Sequence, residues 1–174
     1  MSGAAKDDHK WTFGVRVLAN QIERATLRTT LTYKVIPELS LGVEYNPLAD
    51  DVGPLANWTA LKEKEWRPAL IFGTSSDRIG TPSGRSIYGT LSKNLDPLMD
   101  VPISPYVGAV WGSYEDRFRP IGGANIEFGK GFSGSVIFDG VKVHPMLNYA
   151  IDRHVFSLIL AQGKNPGFSY SISF

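Results

Sequence analysis

The residues best suited to acid–base chemistry in this sequence are two histidines near its C-terminal end. His144 stands five residues after Asp139, and His154 follows an Asp-Arg turn signal. A histidine held between a carboxylate and a serine can act as a general base, so a catalytic interpretation pairs His144 with Asp139 and with Ser157 or Ser135. No motif fixes the mutual geometry of these groups. His144, His154, Ser157 and Asp139 are therefore the catalytic candidates, but a hydrogen-bonding network for His144 and a position at the interface for His154 are favoured over catalysis.

The composition argues against several other chemistries. The chain has 174 residues and no cysteine, which excludes disulfide scaffolds, thiol catalysis and cysteine-ligated metal centres. Three scattered histidines make a poor zinc site, and no glycine-rich loop carries the lysine of a phosphate-binding motif. A formal net charge of +1 provides no basic field for nucleic acid. We expect no metal, no cofactor and no nucleic-acid partner.

Apolar and polar residues alternate along most of the chain from Trp11 onward, and this is the spacing of β-strands. Short turn signals separate about eleven such runs, whereas single-chain bacterial membrane barrels have even strand numbers. The pattern predicts an all-β fold, a closed antiparallel up-and-down transmembrane β-barrel of roughly 10–12 strands. Residues 1–10 are expected to form a flexible tail, residues 11–174 the single barrel domain, and residues 46–65 a long surface loop.

The polar face of each strand indicates whether that face lines a confined lumen or lies in bulk water. It is poor in lysine and glutamate and rich in glycine, serine, threonine and asparagine, whereas a soluble β-sandwich would present a lysine-rich face to water. Small residues and paired charges suit a narrow lumen that is largely plugged. The polar residues expected to line this lumen are Arg16, Arg28, Lys34, Glu44, Arg67, Arg119, Glu127 and Lys142.

The last seven residues, Phe168 to Phe174, alternate strictly between apolar residues and serine. This segment resembles the C-terminal signature of bacterial outer-membrane β-barrel proteins, in which the last strand ends in phenylalanine. The resemblance implies that Phe168, Tyr170, Ile172 and Phe174 form an assembly signal for the barrel-assembly machinery. It also implies a location in the cell outer membrane, in contact with its lipid. The glycine and aromatic spacing from Gly122-Gly123 through Phe138-Asp139-Gly140 is similar, more loosely, to barrels associated with exopolysaccharide export.

The N-terminal residues show no apolar stretch of a signal peptide, so the resemblance leads us to expect a mature chain whose export signal has been removed. The expected function is that of an integral outer-membrane barrel without enzymatic activity, which is structural, binds an envelope partner through residues 46–65, or conducts small solutes. Two alternatives remain open. One is an outer-membrane lipid or glycan hydrolase, although the local motifs of barrel phospholipases, omptin proteases and lipid-A deacylases are not intact. The other is a soluble ligand-binding β-barrel.

Overall fold

Alternation of apolar and polar side chains builds the whole wall of the molecule. The computed structural model describes residues 9–174 and forms a closed barrel of twelve antiparallel strands, in which β1 pairs with β12 to complete the ring. The strands are β1 (Trp11–Leu18), β2 (Leu27–Ile36), β3 (Leu39–Asn46), β4 (Asp51–Leu61), β5 (Ala69–Ser76), β6 (Arg85–Ser92), β7 (Ile103–Gly112), β8 (Arg117–Gly129), β9 (Phe132–Phe138), β10 (Val143–Ile151), β11 (His154–Ala161) and β12 (Asn165–Ser173). The expected all-β, closed antiparallel up-and-down barrel is confirmed.

Helical structure is confined to the connections between strands. The short helices are α1 (Glu23–Thr26) and α2 (Asp96–Met99), and a single 3-10 turn covers Pro47–Ala49. Within residues 9–174, none of these helices has the length and apolar character needed to cross a membrane. Most of the predicted N-terminal tail, residues 1–8, lies outside the part of the chain that the structure describes.

The barrel has two distinct ends. We call one end the proximal rim. It carries the first and last residues of the wall and connections 37–38, 62–68, 93–102, 130–131 and 152–153. The opposite end, the distal rim, carries connections 19–26, 47–50, 77–84, 113–116, 139–142 and 162–164. Strictly antiparallel pairing brings every second connection to the same rim, so residues distant in sequence meet there.

The apolar stripe of each strand faces outward and the polar stripe faces inward. Val43 and Leu158 are 52% and 60% exposed, whereas Glu44 is 0% and Ser157 6% exposed. Among the described residues the buried hydrophobic side chains number only five, Leu18, Ala25, Ala69, Ile159 and Ala161. In a water-soluble domain the large apolar side chains would occupy the buried set, so this distribution is inverted.

The segment predicted as a long loop at 46–65 is mostly wall, and that expectation is wrong. Residues 47–50 form a turn, β4 then runs from Asp51 to Leu61, and only residues 62–65 of the predicted segment belong to the next connection. Gly53 and Pro54 resemble turn residues in the sequence, but both lie in the strand, opposite Glu44 and Val43 of β3. β4 is the strand that a count of about eleven alternating runs omits.

Pro54 is tolerated in β4 because it lies beside a gap in the ladder. The β4–β5 register begins at Ala56, which pairs with Thr74, so residues 51–55 lie beyond it. The backbone carbonyl of Val52 is turned toward this gap, where it accepts a hydrogen bond from Arg85. Pro54 is two residues further along and therefore faces the same side, where its missing N–H removes no ladder bond.

Arg85 closes the same gap with its side chain. From the start of β6 it reaches past the end of β5 and donates to both carboxylate oxygens of Asp51, at 2.7 and 3.0 Å. The side chain fills the space next to Gly53, where an added Cβ would lie 2.5 Å from the guanidinium carbon. A bidentate arginine–carboxylate pair therefore replaces part of the missing strand ladder.

We expect Arg85→Met to destabilise the folded barrel by about 1.5–3 kcal/mol, because it removes charge-assisted hydrogen bonds to Asp51 and Val52. Urea unfolding of the refolded protein, followed by tryptophan fluorescence, measures this change. Arg85→Lys keeps the charge without the planar fork and should recover only part of the loss. A stability equal to wild type for Arg85→Met would contradict the role assigned to this side chain.

Candidate functional site in the distal lumen

The distal end of the lumen is covered by residues 77–84, which we call the plug loop. Within this loop Ile79 packs against a small apolar cluster inside the barrel, formed by Leu18, Ile159 and Ala161. Thr81 is 1% exposed. The Gln162 side chain donates a hydrogen bond to the carbonyl of Ile79 at 3.4 Å. The plug loop is therefore packed into the mouth of the barrel instead of extending into solvent.

Arg24 holds the plug loop in place. α1 places this residue above the lumen with 4% exposure. Its guanidinium donates to the carbonyls of Thr81 at 2.7 Å, Arg78 at 2.9 Å and Asp77 at 3.1 Å, and to the Thr81 hydroxyl at 2.6 Å. Burial lowers the pKa of Arg24, and nearby carboxylates offset this effect only in part. One side chain thus binds the loop at four oxygen atoms.

Below the plug loop lies a buried ion pair between β2 and β3. The Arg28 Nε atom lies 2.6 Å from the Glu44 Oε2 atom, and the Ser76 hydroxyl donates to the same oxygen at 3.2 Å. Glu44 is fully buried, so its charge depends on these donors. Arg16 lies directly opposite Arg28 on the neighbouring strand β1 and also lines the lumen.

A second set of charges connects the plug loop to the β7–β8 connection. Glu115 accepts hydrogen bonds from Arg78 of the plug loop, at 2.8 Å, and from Arg119 of β8. Hydrogen bonds from Arg119 and Arg78 hold the pKa of Glu115 below its usual value. Arg119 and Arg117 also line a side cavity of about 190 Å³ beneath this network.

A cavity of about 760 Å³ occupies the lumen below the plug loop. One part of its wall carries Arg16 and Arg28, and another carries apolar side chains. The apolar group consists of Ile71, Ile79, Ile121, Ile137, Met146 and Ile159. A cavity of this size matches that of small-molecule sites, which combine apolar walls with a few polar groups.

The catalytic candidates His144 and Asp139 do meet at the distal rim. The His144 Nε2 atom lies 2.9 Å from an Asp139 carboxylate oxygen, and the Nδ1 atom accepts the backbone N–H of Gln162 at 3.1 Å. Because Nδ1 accepts, Nε2 carries the proton that is donated to Asp139. A general base needs a free nitrogen lone pair facing a nucleophile, and this imidazole has both nitrogens engaged. These two hydrogen bonds connect His144 of β10 to the 139–142 turn and to the 162–164 turn.

The other two catalytic candidates lie elsewhere. Ser157 pairs with Asn148, four residues along β10 from His144, which corresponds to about 13 Å at the usual strand rise. His154 pairs with Ile151 near the proximal rim, and its Nδ1 atom lies 2.8 Å from the Tyr170 hydroxyl on the outer surface. No Ser-His-Asp arrangement is assembled from these four residues. Among residues 9–174 no cluster of three histidine, aspartate or glutamate side chains is arranged to hold a metal ion.

The expected lumen residues fall into three groups. Arg16, Arg28, Glu44 and Arg119 line the distal lumen. Lys34 and Glu127 share the inward stripe of β2 and β8 but lie toward the proximal rim. The expectation that Arg67 and Lys142 line the lumen is wrong, because neither residue belongs to a strand. Arg67 is exposed in the 62–68 turn, where it donates to the carbonyl of Lys62, and Lys142 is exposed in the 139–142 turn.

Sequence reasoning missed the residues that close the distal lumen. Arg24, Asp77, Arg78 and Thr81 all belong to connections, which appear in the sequence as ordinary polar turns. The available signal was the high density of charged residues in every second connection, because antiparallel pairing brings these connections to the same rim. No protein-family model matches this chain, and no curated protein matches it in sequence.

Asp139 supplies a pH-dependent contribution to stability. Burial alone would raise the pKa of its carboxyl group, but the hydrogen bonds from His144 and from the backbone N–H groups of Lys142 and Val141 outweigh burial and lower it. A carboxyl group with a lowered folded-state pKa stabilises the fold above its unfolded pKa of about 3.9, and this stability is lost as the pH falls through the folded value.

We therefore expect Asp139→Asn to lower the free energy of unfolding by about 1–3 kcal/mol at pH 7. Near pH 3 the difference from wild type should shrink, because the wild-type carboxyl group begins to take up a proton. Urea titrations at the two pH values provide the measurement. A difference of the same size at both would show that the Asp139 charge contributes nothing to stability.

Proposed function

We propose that this protein is an integral outer-membrane β-barrel with a plugged lumen, which acts as a restricted conduit for small solutes and not as an enzyme. The observation that carries the proposal is the inverted solvent preference of the wall. Exposed apolar side chains cover the outside of the strands, and Glu44, Thr90 and Ser157 are among the buried polar residues. Hydrocarbon is the solvent in which such an outer surface is stable, and a closed ladder leaves no strand edge unpaired.

Aromatic side chains near the proximal rim support a membrane–water interface at that level. Trp11 and Tyr33 lie with ring centroids 4.8 Å apart, Phe132 and Tyr149 4.6 Å apart. Phe156 and Tyr170 continue the series with centroids 5.2 Å apart. Tryptophan and tyrosine prefer the level of lipid head groups, because one part of each ring is apolar and another is polar. The tyrosine hydroxyl of the last pair bonds His154, in keeping with an interfacial position.

The strand lengths suit the same environment. The twelve strands contain 7 to 13 residues, and a tilted strand of about 9–11 residues crosses the hydrocarbon layer of a bilayer. Outer-membrane lipid and the barrel-assembly machinery are the partners that this location would require. Phe168, Tyr170 and Ile172 share the outward stripe of β12, and Phe174 hydrogen-bonds Trp11 through both backbone groups. A partner bound through residues 46–65 would meet the short 47–50 turn at the distal rim or residues 62–65 at the proximal rim.

A conduit is favoured over a hydrolase because of how the polar groups are used. His144 is engaged at both ring nitrogens, and His154 lies on the outer surface. Most charged residues of the distal lumen, among them Arg24, Arg28 and Arg78, take part in ion pairs or fasten the plug loop. The cavity beneath that loop leaves space within the lumen for solutes no larger than small organic molecules.

An arginine on the outer wall tests the membrane assignment. Leu158 is 60% exposed in the middle of β11, and Leu48 is 51% exposed in the 47–50 turn at the distal rim. In a membrane barrel Leu158→Arg should cost about 2–4 kcal/mol, because the charge enters hydrocarbon, and Leu48→Arg should cost about 0–1 kcal/mol. Refolding into lipid bilayers followed by urea titration measures both changes.

The same pair of variants distinguishes a soluble barrel. In water both substitutions exchange an exposed leucine for a charge, so both would be neutral and the protein would stay folded without detergent. Heat-modifiable migration on a gel reports whether each variant forms the barrel. Equal stability of the two variants, with a folded protein in plain buffer, would overturn the membrane assignment.

Release of the plug loop tests the conduit assignment. Arg24→Met removes four of the hydrogen bonds that fasten residues 77–84, so the loop should leave the mouth of the barrel more often. We expect wild type to show little conductance in planar bilayers and Arg24→Met to show larger and more frequent openings. Arg153→Met, in the 152–153 turn at the proximal rim, removes one positive charge without touching the plug loop. Identical conductance of the three proteins would contradict a plug held by Arg24.

A further inference from the structure

Two arginines oppose each other directly inside the barrel. Arg16 of β1 and Arg28 of β2 are cross-strand partners, and both line the 760 Å³ cavity. Like charges in this position destabilise an antiparallel pair unless an anion compensates them. Arg28 has its anion, since its Nε atom lies 2.6 Å from Glu44. The Arg16 Nε atom is inaccessible to solvent and has no hydrogen-bond partner in the part of the chain that the structure describes.

The surrounding carboxylates are already engaged. Asp51 accepts both hydrogen bonds of the Arg85 pair, and Asp77 accepts the backbone N–H groups of Arg78 and Tyr114 at 2.8 and 3.1 Å. Glu44 is bound by Arg28 and Ser76 through one oxygen. Its other oxygen has no hydrogen-bond partner among residues 9–174. A water molecule that bridges this oxygen to Arg16 is therefore the competing explanation, and the experiment must distinguish it from a bound anion.

Part of the cavity wall away from the arginines is apolar, and the rest carries polar side chains such as Tyr106, Asp139 and His144. The apolar part is formed by Ile121, Ile137, Met146 and Ile159 of the neighbouring strands β8 to β11. Small residues near Arg16, Gly14 on its own strand and Ser169 and Ser171 on β12, line the same cavity. A charged head group and an apolar body would therefore meet complementary surfaces in one cavity.

We propose that this cavity binds a small organic anion, a carboxylate with an apolar body, whose carboxylate pairs with Arg16 and whose body lies against the isoleucine wall. Arginine presents a planar fork that matches a carboxylate, and the bond strengthens in a partly desolvated site. The Arg28–Glu44 pair is already neutral, so the added anion would compensate the charge of the Arg16 guanidinium. The inference depends on the closed barrel and its cavity, and it holds whether or not the barrel lies in a membrane.

Equilibrium dialysis of ¹⁴C-hexanoate against the full-length chain, refolded in non-ionic detergent, tests this proposal, with detergent alone as the blank. We expect saturable binding of one hexanoate per chain. Arg16→Met should weaken it by about tenfold or more, the equivalent of losing one hydrogen bond to a charged group. Arg153→Met removes a charge at the proximal rim and should bind like wild type.

Three outcomes would overturn the proposal. The first is the absence of saturable binding to folded wild type. The second is equal binding by Arg16→Met. The third is displacement of hexanoate by hexan-1-ol as effectively as by unlabelled hexanoate, because the carboxylate would then contribute nothing to binding and Arg16 would be bridged by water. Displacement by inorganic phosphate at equal concentration would overturn the apolar half of the assignment. Heat-modifiable migration verifies folding of each variant. If Arg16→Met does not fold, Arg16→Lys replaces it, and unchanged binding by that variant contradicts the bidentate contact.

Discussion

Closure of the β1–β12 ladder is the constraint on which the other features depend. Once Trp11 and Phe174 exchange backbone hydrogen bonds, every strand has two neighbours and the sheet has no free edge. The stripe that faces inward then lies in a bore of fixed circumference, and the other stripe faces outward. Polar side chains of the inner stripe have to satisfy one another, which explains why arginines and carboxylates from different strands form pairs at the distal end.

The distal charges form one connected structure and not a set of separate salt bridges. Arg24 fastens the plug loop from above, Ser76 links its first residues to the Arg28–Glu44 pair, and Glu115 joins Arg78 to Arg119. The loop is therefore held from several sides of the barrel at once. Its position depends on residues from several connections and strands, so full displacement of the loop requires several of these contacts to break together.

The sequence predicts the wall of this barrel better than its interior. Period-two patterning identifies a strand wherever the apolar stripe is regular, as in Leu27 to Val35, because one face of a wall strand lines the bore and the other faces outward. The pattern fails in β4, where Gly53 makes room for Arg85 and Pro54 lies beside a gap in the ladder. Both exceptions depend on contacts with another strand, and single-strand periodicity contains no information about them.

The interior was predictable only in part for a related reason. Arg16, Arg28 and Glu44 belong to regular strands, and the alternation of side chains along each strand assigns them to the inner stripe. Arg67 and Lys142 have the same chemical character but lie just beyond strand ends, where strand alternation no longer determines which way a side chain points. Arg24 and the plug loop belong to connections, whose path depends on how the barrel closes. Strand ends are the least certain feature of a sequence-based assignment, and here they decide which charges enter the bore.

The width of the bore depends on atoms that two glycines lack. Tyr88 lies over Gly73 so closely that a methyl group there would be 2.3 Å from the phenol ring, and Tyr106 lies over Gly123, where the methyl would be 2.8 Å from the ring. Each aromatic ring thus lies flat against the neighbouring strand. Alanine at either glycine would displace the ring and would also press on a backbone carbonyl of the neighbouring strand, that of Ala56 or Val136. The free space inside this barrel therefore depends partly on two side chains that consist of a single hydrogen atom.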